Sequence, residues 1–230
     1  MTPSAFGLKL LADSWVVVVP VKGSPGAKSR LGPGPGPGPG SGPESGAGRA
    51  ALAEAFALDT VAAIVAASAV ERVFVVTASA RLGKLLAELG AVIVLEQPGV
   101  QTGHARLNAA IEQGIAAARH AYPQANLAVM TGDLPALRPT DLETGFVLAA
   151  GHPRSMVADA EGVGTTTLFA RGGVAFTPRF GFGSRAAHEA DGHAVLDLPS
   201  TSSLRLDVDT EADLAVARAL GLGPCTSALL

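Results

Sequence analysis

Trp15-Val16-Val17-Val18-Val19 is an unbroken apolar run of five residues, and its reading decides the fold. A short run rich in β-branched side chains favours a strand, and the lack of polar alternation predicts burial on both faces. Outward along the chain the pattern recurs at Val73-Phe74-Val75-Val76, Val92-Ile93-Val94-Leu95 and Leu127-Ala128-Val129-Met130. Between these runs the apolar residues fall at helical spacing. Leu52, Phe56, Ala63 and Ile64 form one set, Leu82, Leu85, Leu86 and Leu89 a second, and Leu107, Ile111 and Ile115 a third. Strands without alternation, each followed by a helix, predict a doubly wound α/β domain: a single, mostly parallel sheet with helices on both faces. The whole chain, 1–230, reads as one domain.

Two later helices show start signals. Thr140-Asp141-Leu142-Glu143 has the form of a capping box, and Thr210-Glu211-Ala212-Asp213 is a variant with Asp in the third helical place. The stretch 32–48, GPGPGPGPGSGPESGAG, reads instead as a flexible insertion. It has no large apolar side chain whose burial could offset the entropy of ordering it.

Composition narrows the function classes. Forty-eight per cent of the 230 residues are hydrophobic, enough for a full core that is mostly aliphatic, and net charge is −3. Lys and Arg are scattered, which disfavours a nucleic-acid surface, since such a surface needs a dense cationic face to displace counterions. Cys225 is the only cysteine, so neither an intrachain disulfide nor a cysteine metal cluster can form. The start of the chain lacks the succession of a signal peptide. The longest apolar stretch, 50–70, carries Glu54 and Asp59, which argue for a buried helix over a membrane span. A cytoplasmic setting is expected.

In an open α/β sheet ligands bind beyond the carboxyl ends of the strands, where strand order reverses. After the first strand comes PVKGSPGAKSRL, residues 20–31. Lys22, Lys28 and Arg30 on this glycine-containing loop suit a polyphosphate. After the fourth strand comes Thr131-Gly132-Asp133-Leu134-Pro135, with an acid just past a buried strand. A third segment, Leu204-Arg205-Leu206-Asp207-Val208-Asp209, projects Asp207 and Asp209 to one side if it is extended. Asp133, Asp207 and Asp209 together would make an oxygen site suited to Mg²⁺ and substrate phosphates. Turn and cap chemistry is the plainer alternative for each of these acids. The five histidines, His104, His120, His152, His188 and His193, show no metal-ligand pairing and read as surface or structural. Ser24, Ser29 and Ser184 lack a nucleophile elbow.

With these segments in view, the chain resembles the 2-phospho-L-lactate guanylyltransferase family and its actinobacterial relatives that act on phosphoenolpyruvate in coenzyme F-420 biosynthesis. The resemblance runs through VPVKGSPGAKSRL, RAALAEAFALDTV, GHARLNAAIEQG, MTGDLPAL, SMVAD, GVGTTTLFA, FTPRFGFGS and LRLDVDTEADL, in that order. It implies a nucleotidyltransferase-like, Rossmann-type fold and transfer of GMP from GTP to the phosphate of a small phosphorylated three-carbon acid, with pyrophosphate released. It further implies metal ligation by Asp133, Asp207 and Asp209, with Asp133 catalytic. The nucleotide would be held by Lys22, Lys28 and Arg30, with Leu107 and Asn108 near the guanine. Thr165, Gly181 and Ser184 would bind the acid. The partners implied are GTP, the acid and a downstream transferase that uses the product, with no nucleic acid and no membrane. Oligomeric state stays open, a homodimer being one option.

The Ala-, Gly- and Arg-rich chain is most similar to the actinobacterial relatives, and that resemblance implies phosphoenolpyruvate as acceptor over 2-phospho-L-lactate or 3-phosphoglycerate. One rival is a nucleotidyltransferase for a molybdopterin or sugar-phosphate acceptor, against which PVKGSPGAKSRL counts because it lacks their tight glycine-rich loop. The other is a non-catalytic nucleotide-binding protein, which has no need of three gathered carboxylates.

Overall fold

The structure, a computed structural model, describes residues 14–21 and 44–230. Lys22, Lys28, Arg30 and the Gly-Pro repeat itself lie outside the described residues. Seven strands form one sheet: β1 (Trp15–Val21), β2 (Val70–Thr77), β3 (Val92–Leu95), β4 (Asn126–Met130), β5 (Arg154–Ala158), β6 (Thr165–Ala170) and β7 (Ala194–Val195). Their spatial order is β3-β2-β1-β4-β6-β5-β7. The pairs β2·β3, β1·β2, β1·β4 and β5·β7 are parallel, while β6 runs antiparallel to β4 and β5. The sheet is therefore mixed, with one reversed strand. β1 lies between β2 and β4, so the winding direction changes there, and the crevice beyond β1 and β4 is where a ligand is expected.

The valine run explains itself once the helices are placed: α1 (Glu44–Ala66), α2 (Ala80–Glu88), α3 (Gly103–Ala121) and α4 (Pro139–Ala149). Val17 and Val19 share a core with Val61 and Ile64 of α1, Leu82 and Leu86 of α2, and Leu142 and Phe146 of α4. Val16 and Val18 share the other core with Ala110 and Ile111 of α3. Successive side chains of a strand point to opposite faces, so both faces are covered and alternation disappears. α3 sits tightly on its face at Gly114. A Cβ added there would come within 2.5 Å of Val18 Cγ1 and 2.6 Å of Val76 Cγ2. Gly114→Val should therefore lower unfolding free energy by about 1–3 kcal/mol through overpacking. Urea unfolding measures this, and an unchanged midpoint would mean that α3 lifts off the sheet at no cost.

Three expectations need correction. β3 is the sheet's edge strand and is not buried on both faces, since Val92 and Leu95 are exposed. The helical backbone of α1 begins at Glu44, so residues 44–48 are helix and not connector. Extending an established Ala-rich helix costs far less than nucleating one, and that outweighs the two glycines in the first turns. The capping box expected at Thr140 does not form. Pro139 takes the first helical position of α4 behind Arg138, which suits a residue with no N–H to satisfy. Glu143 instead accepts from Ser68 N–H at 2.8 Å and Ser68 Oγ at 2.7 Å, tying α4 to the turn before β2. The second box is present: Thr210 and Asp213 cap α6 (Glu211–Leu220) reciprocally.

Asp59 shows how the apolar stretch 50–70 accommodates its acids. Only 5% exposed, its carboxylate accepts from the backbone N–H groups of Cys225 at 2.9 Å and Thr226 at 2.7 Å, in α7 (Pro224–Ser227). Among the described residues no helix is long and apolar enough to cross a membrane.

Candidate active site

Asp133 follows β4 by three residues and is fixed by its neighbours on both sides. Gly132 lets the chain pass the end of β1, since a Cβ there would stand 3.2 Å from Pro20 O and 3.1 Å from Val21 Cγ2. Leu134 N–H donates to Thr60 Oγ1 of α1 at 3.0 Å, and Thr60 Oγ1 donates in turn to Phe56 O at 2.7 Å. The carbonyl of Asp133 accepts from Val208 N–H at 3.0 Å. That bond sets residues 206–209 directly beside Asp133, across 75 positions of sequence.

Leu206 and Val208 are buried, whereas Asp207 is half-buried and Asp209 exposed. Leu206 and Val208 anchor the segment in a core cluster with Leu52 and Phe56 of α1. Asp209 N–H and Thr210 N–H both donate to Asp213 Oδ2, at 3.1 and 2.8 Å, so the start of α6 stiffens the backbone that carries the pair. All of this lies at the carboxyl ends of β1 and β4.

The donor chemistry suits hard divalent cations. Carboxylates on two adjoining segments are hard oxygen donors, as magnesium prefers. Among the described residues no three or more His, Cys, Asp or Glu side chains stand together as a ready-made metal cluster. A cage of protein ligands is thus not prebuilt. Magnesium keeps several waters and takes one or two carboxylates plus substrate phosphates, so a looser set of acids fits it.

The remaining expected residues fall into two groups. Thr165 opens β6 and Ser184 opens α5 (Ser184–Ala190), 6% and 2% exposed. Gly181 precedes α5 at φ +136°, and a Cβ there would meet the His104 ring at 2.7 Å. Thr165 and Ser184 are joined through His188 of α5, whose Nδ1 lies 3.0 Å from Thr165 Oγ1. Leu107 packs inward against the core that α3 covers. Asn108 is engaged by backbone: its Oδ1 accepts from Phe180 N–H at 2.8 Å and its Nδ2 donates to Phe180 O at 3.0 Å. A cavity of about 430 Å³ lies beyond the end of β3, lined in part by Glu96, Gln97, Arg106 and Gln113, and neither Leu107 nor Asn108 lines it. A smaller one, about 220 Å³, lies beside the ends of β5 and β7, with Arg185, Arg205 and Asp197 in its wall.

His188 and His193 are the residues that sequence reading passed over as merely surface or structural. They are 0% and 4% exposed, with rings 5.4 Å apart. The signal available was spacing, because His188 stands four residues after Ser184 and so shares its helical face. Burial holds the His188 imidazole down at about 4, helped by the proximity of His193 and opposed by Asp191. Burial also lowers His193. Both histidines are neutral in the folded protein at neutral pH. As pH falls below about 6.5 the unfolded chain takes up protons that the folded one refuses, so stability declines. For His188 the loss is complete once pH passes below about 4. Chemical denaturation at pH 7.5, 6 and 4.5 should show the midpoint falling, and less steeply in His188→Gln; equal slopes in the two proteins would contradict this.

Comparison with known proteins bears on the same features. No family model matches the chain. It is 45% identical over 215 residues to the phosphoenolpyruvate guanylyltransferase of Streptomyces coelicolor, covering 94% of this chain and 95% of that one. The protein of that name from Thermomonospora curvata is 45% identical, covering 94% and 88%, and that from Salinispora arenicola 42% identical, covering 95% and 94%. Among solved structures, 4-diphosphocytidyl-2C-methyl-D-erythritol synthase superposes with a TM-score of 0.57 at 14% identity, covering 91% of this chain and 99% of that one. A likeness at that identity concerns the fold alone. Full-length identity at this level, on a sheet whose winding changes beside Asp133 and residues 206–209, places the chain in the phosphoenolpyruvate guanylyltransferase family.

Proposed function

We propose that this protein transfers GMP from GTP to the phosphate of phosphoenolpyruvate, releasing pyrophosphate, as a cytoplasmic step of coenzyme F-420 biosynthesis that supplies a downstream transferase. The observation that supports the reading is the Val208 N–H···O=C Asp133 bond of 3.0 Å, which joins the backbones of two distant acid-bearing segments beyond the end of β4. A non-catalytic nucleotide binder would have no use for acids beside the nucleotide's phosphates, because they would repel the ligand unless a cation intervened.

In this reading Asp133, Asp207 and Asp209 hold a divalent ion, magnesium, which when bound supplies charge neutralisation between the reacting phosphates. The protein's own part is alignment. Thr165, Gly181 and Ser184 hold the acid, and the loop with Lys22, Lys28 and Arg30 holds the nucleotide phosphates. One phosphate oxygen of the acid is thereby set in line with the α-phosphate of GTP. A new P–O bond forms there as the bond to the β-phosphate bridge breaks, and the electron pair leaves with pyrophosphate.

Pyrophosphate release tests the proposal. GTP should support release with Mg²⁺ and phosphoenolpyruvate, and excess EDTA should abolish it. Competition among phosphoenolpyruvate, 2-phospho-L-lactate and 3-phosphoglycerate, with products read by mass spectrometry, identifies the acceptor. Preference for CTP, or for a sugar phosphate, would overturn the reading.

A further inference from the structure

We propose that His188 is a positioning residue of the acceptor site: it binds Thr165 so that the threonine hydroxyl donates to an anionic oxygen of the acid, and it pins the adjoining loop. The inference rests on the reading of Thr165, Gly181 and Ser184 as the acid's binding site, and adds to it a residue that would touch none of the substrate.

The hydrogen-bond directions follow from a single backbone contact. Arg179 N–H lies 3.0 Å from His188 Nε2, and an amide can only donate. Nε2 is therefore the bare, accepting nitrogen. The ring is fully buried and its pKa is held near 4, so it is neutral and carries its one proton on Nδ1. Nδ1–H then donates to Thr165 Oγ1 at 3.0 Å. With that lone pair engaged from behind, the hydroxyl keeps its own proton to give. The acceptor it has in the folded chain is Met156 Sδ at 3.8 Å, and a thioether is a weak one. A carboxylate or phosphate oxygen displaces it readily, because hydrogen bonds to charged acceptors are roughly twice as strong as neutral ones.

The same ring organises the loop that carries Gly181. Besides accepting from Arg179 N–H, it packs edge-on against Phe180 with centroids 5.4 Å apart. The backbone of Phe180 is clamped in turn by Asn108 of α3, and the Arg179 side chain is paired with Asp191 just past α5. His193 backs the arrangement: its Nδ1 bonds to the carbonyl of His188 at 3.1 Å. Thr165, Gly181 and Ser184 come from a strand, a loop and a helix. His188 belongs to the last and bonds to the other two units.

Two substitutions separate the two nitrogens. His188→Gln places an acceptor near the Nε2 position and keeps the loop, but loses the donor to Thr165. His188→Asn keeps a donor near Nδ1 and loses the loop contact. Steady-state pyrophosphate release with varied phosphoenolpyruvate and varied GTP, on these proteins and on Thr165→Val, provides the test. Expected is a KM for phosphoenolpyruvate raised by about tenfold in His188→Gln with the KM for GTP unchanged, since a hydrogen bond to a charged group is involved. The value in His188→Asn should lie closer to that of the parent protein. In a Thr165→Val background, His188→Gln should add little, which a general loosening of the fold would not produce. If Thr165→Val raises the KM but His188→Gln does not, or if the two effects simply add, the positioning role is overturned. If Thr165→Val leaves the KM unchanged, the acceptor-site reading falls and the proposal with it.

Discussion

Asp133→Asn should lower turnover by roughly a hundredfold or more, by analogy with the loss of one preorganised electrostatic contact in a transition state. The substitution removes a charge and keeps the side chain's size and shape. The Val208 N–H bond is made to the Asp133 carbonyl, and the Leu134 amide is held by Thr60, so both backbone anchors survive. What is lost is a full negative charge at the end of β4, where the reading puts a divalent ion. Rates at rising Mg²⁺ give the sharper check, because the variant should need more metal to reach its lowered maximum. Near-normal turnover at ordinary magnesium would remove Asp133 from the metal assignment.

Trp15→Ala should have the opposite signature: a loss of about 3–5 kcal/mol in unfolding free energy, the usual cost of truncating a buried aromatic, with activity per folded molecule retained. Trp15 is 1% exposed and stacks on Phe146 of α4 with centroids 5.0 Å apart and planes 15° from parallel. Phe169 of β6 meets it edge-on at 5.4 Å. The indole thus joins the first strand, one helix layer and the reversed strand, and an alanine there leaves a cavity that three elements would have to collapse into. It stands at the start of β1, whereas the candidate site lies past the far end, a span of roughly 20 Å for a strand of seven residues. Guanidinium unfolding and assays at low temperature measure the two effects separately. A variant with unchanged stability would contradict the packing account, and one that is stable but inactive would mean that the core reaches the site directly.

Much of this was legible because burial leaves a plain mark on parallel strands. β1, β2 and β4 each carry the unbroken apolar run that two covered faces demand, whereas β3, at the sheet's edge, has the run without the burial. β6 left no such mark. It opens with Thr165, Thr166 and Thr167, all buried, and Thr166 Oγ1 meets the carbonyl of Leu204 at 2.6 Å. A polar side chain with a dedicated partner looks from sequence like a solvated one, so the antiparallel half of the sheet stayed hidden. The start of α4 failed for a related reason, since Thr140 and Glu143 have the right letters but Pro139 already holds the first helical position. The alternation of residues 206–209 was also legible, since Leu206 and Val208 are buried while Asp207 and Asp209 are less so. Tertiary partners decided what was missed: His188 gains its meaning from Arg179 and Thr165, and no local pattern announces either contact.

The acids on these two segments should together hold one divalent ion. Anomalous diffraction from crystals grown with Mn²⁺, GTP and phosphoenolpyruvate tests it most directly. The predicted result is a manganese peak within coordinating distance of carboxylate oxygens of both Asp133 and the Asp207–Asp209 pair, with substrate phosphate oxygens and water as its other ligands. Manganese bound elsewhere, or held by one segment while the other points away, would contradict it.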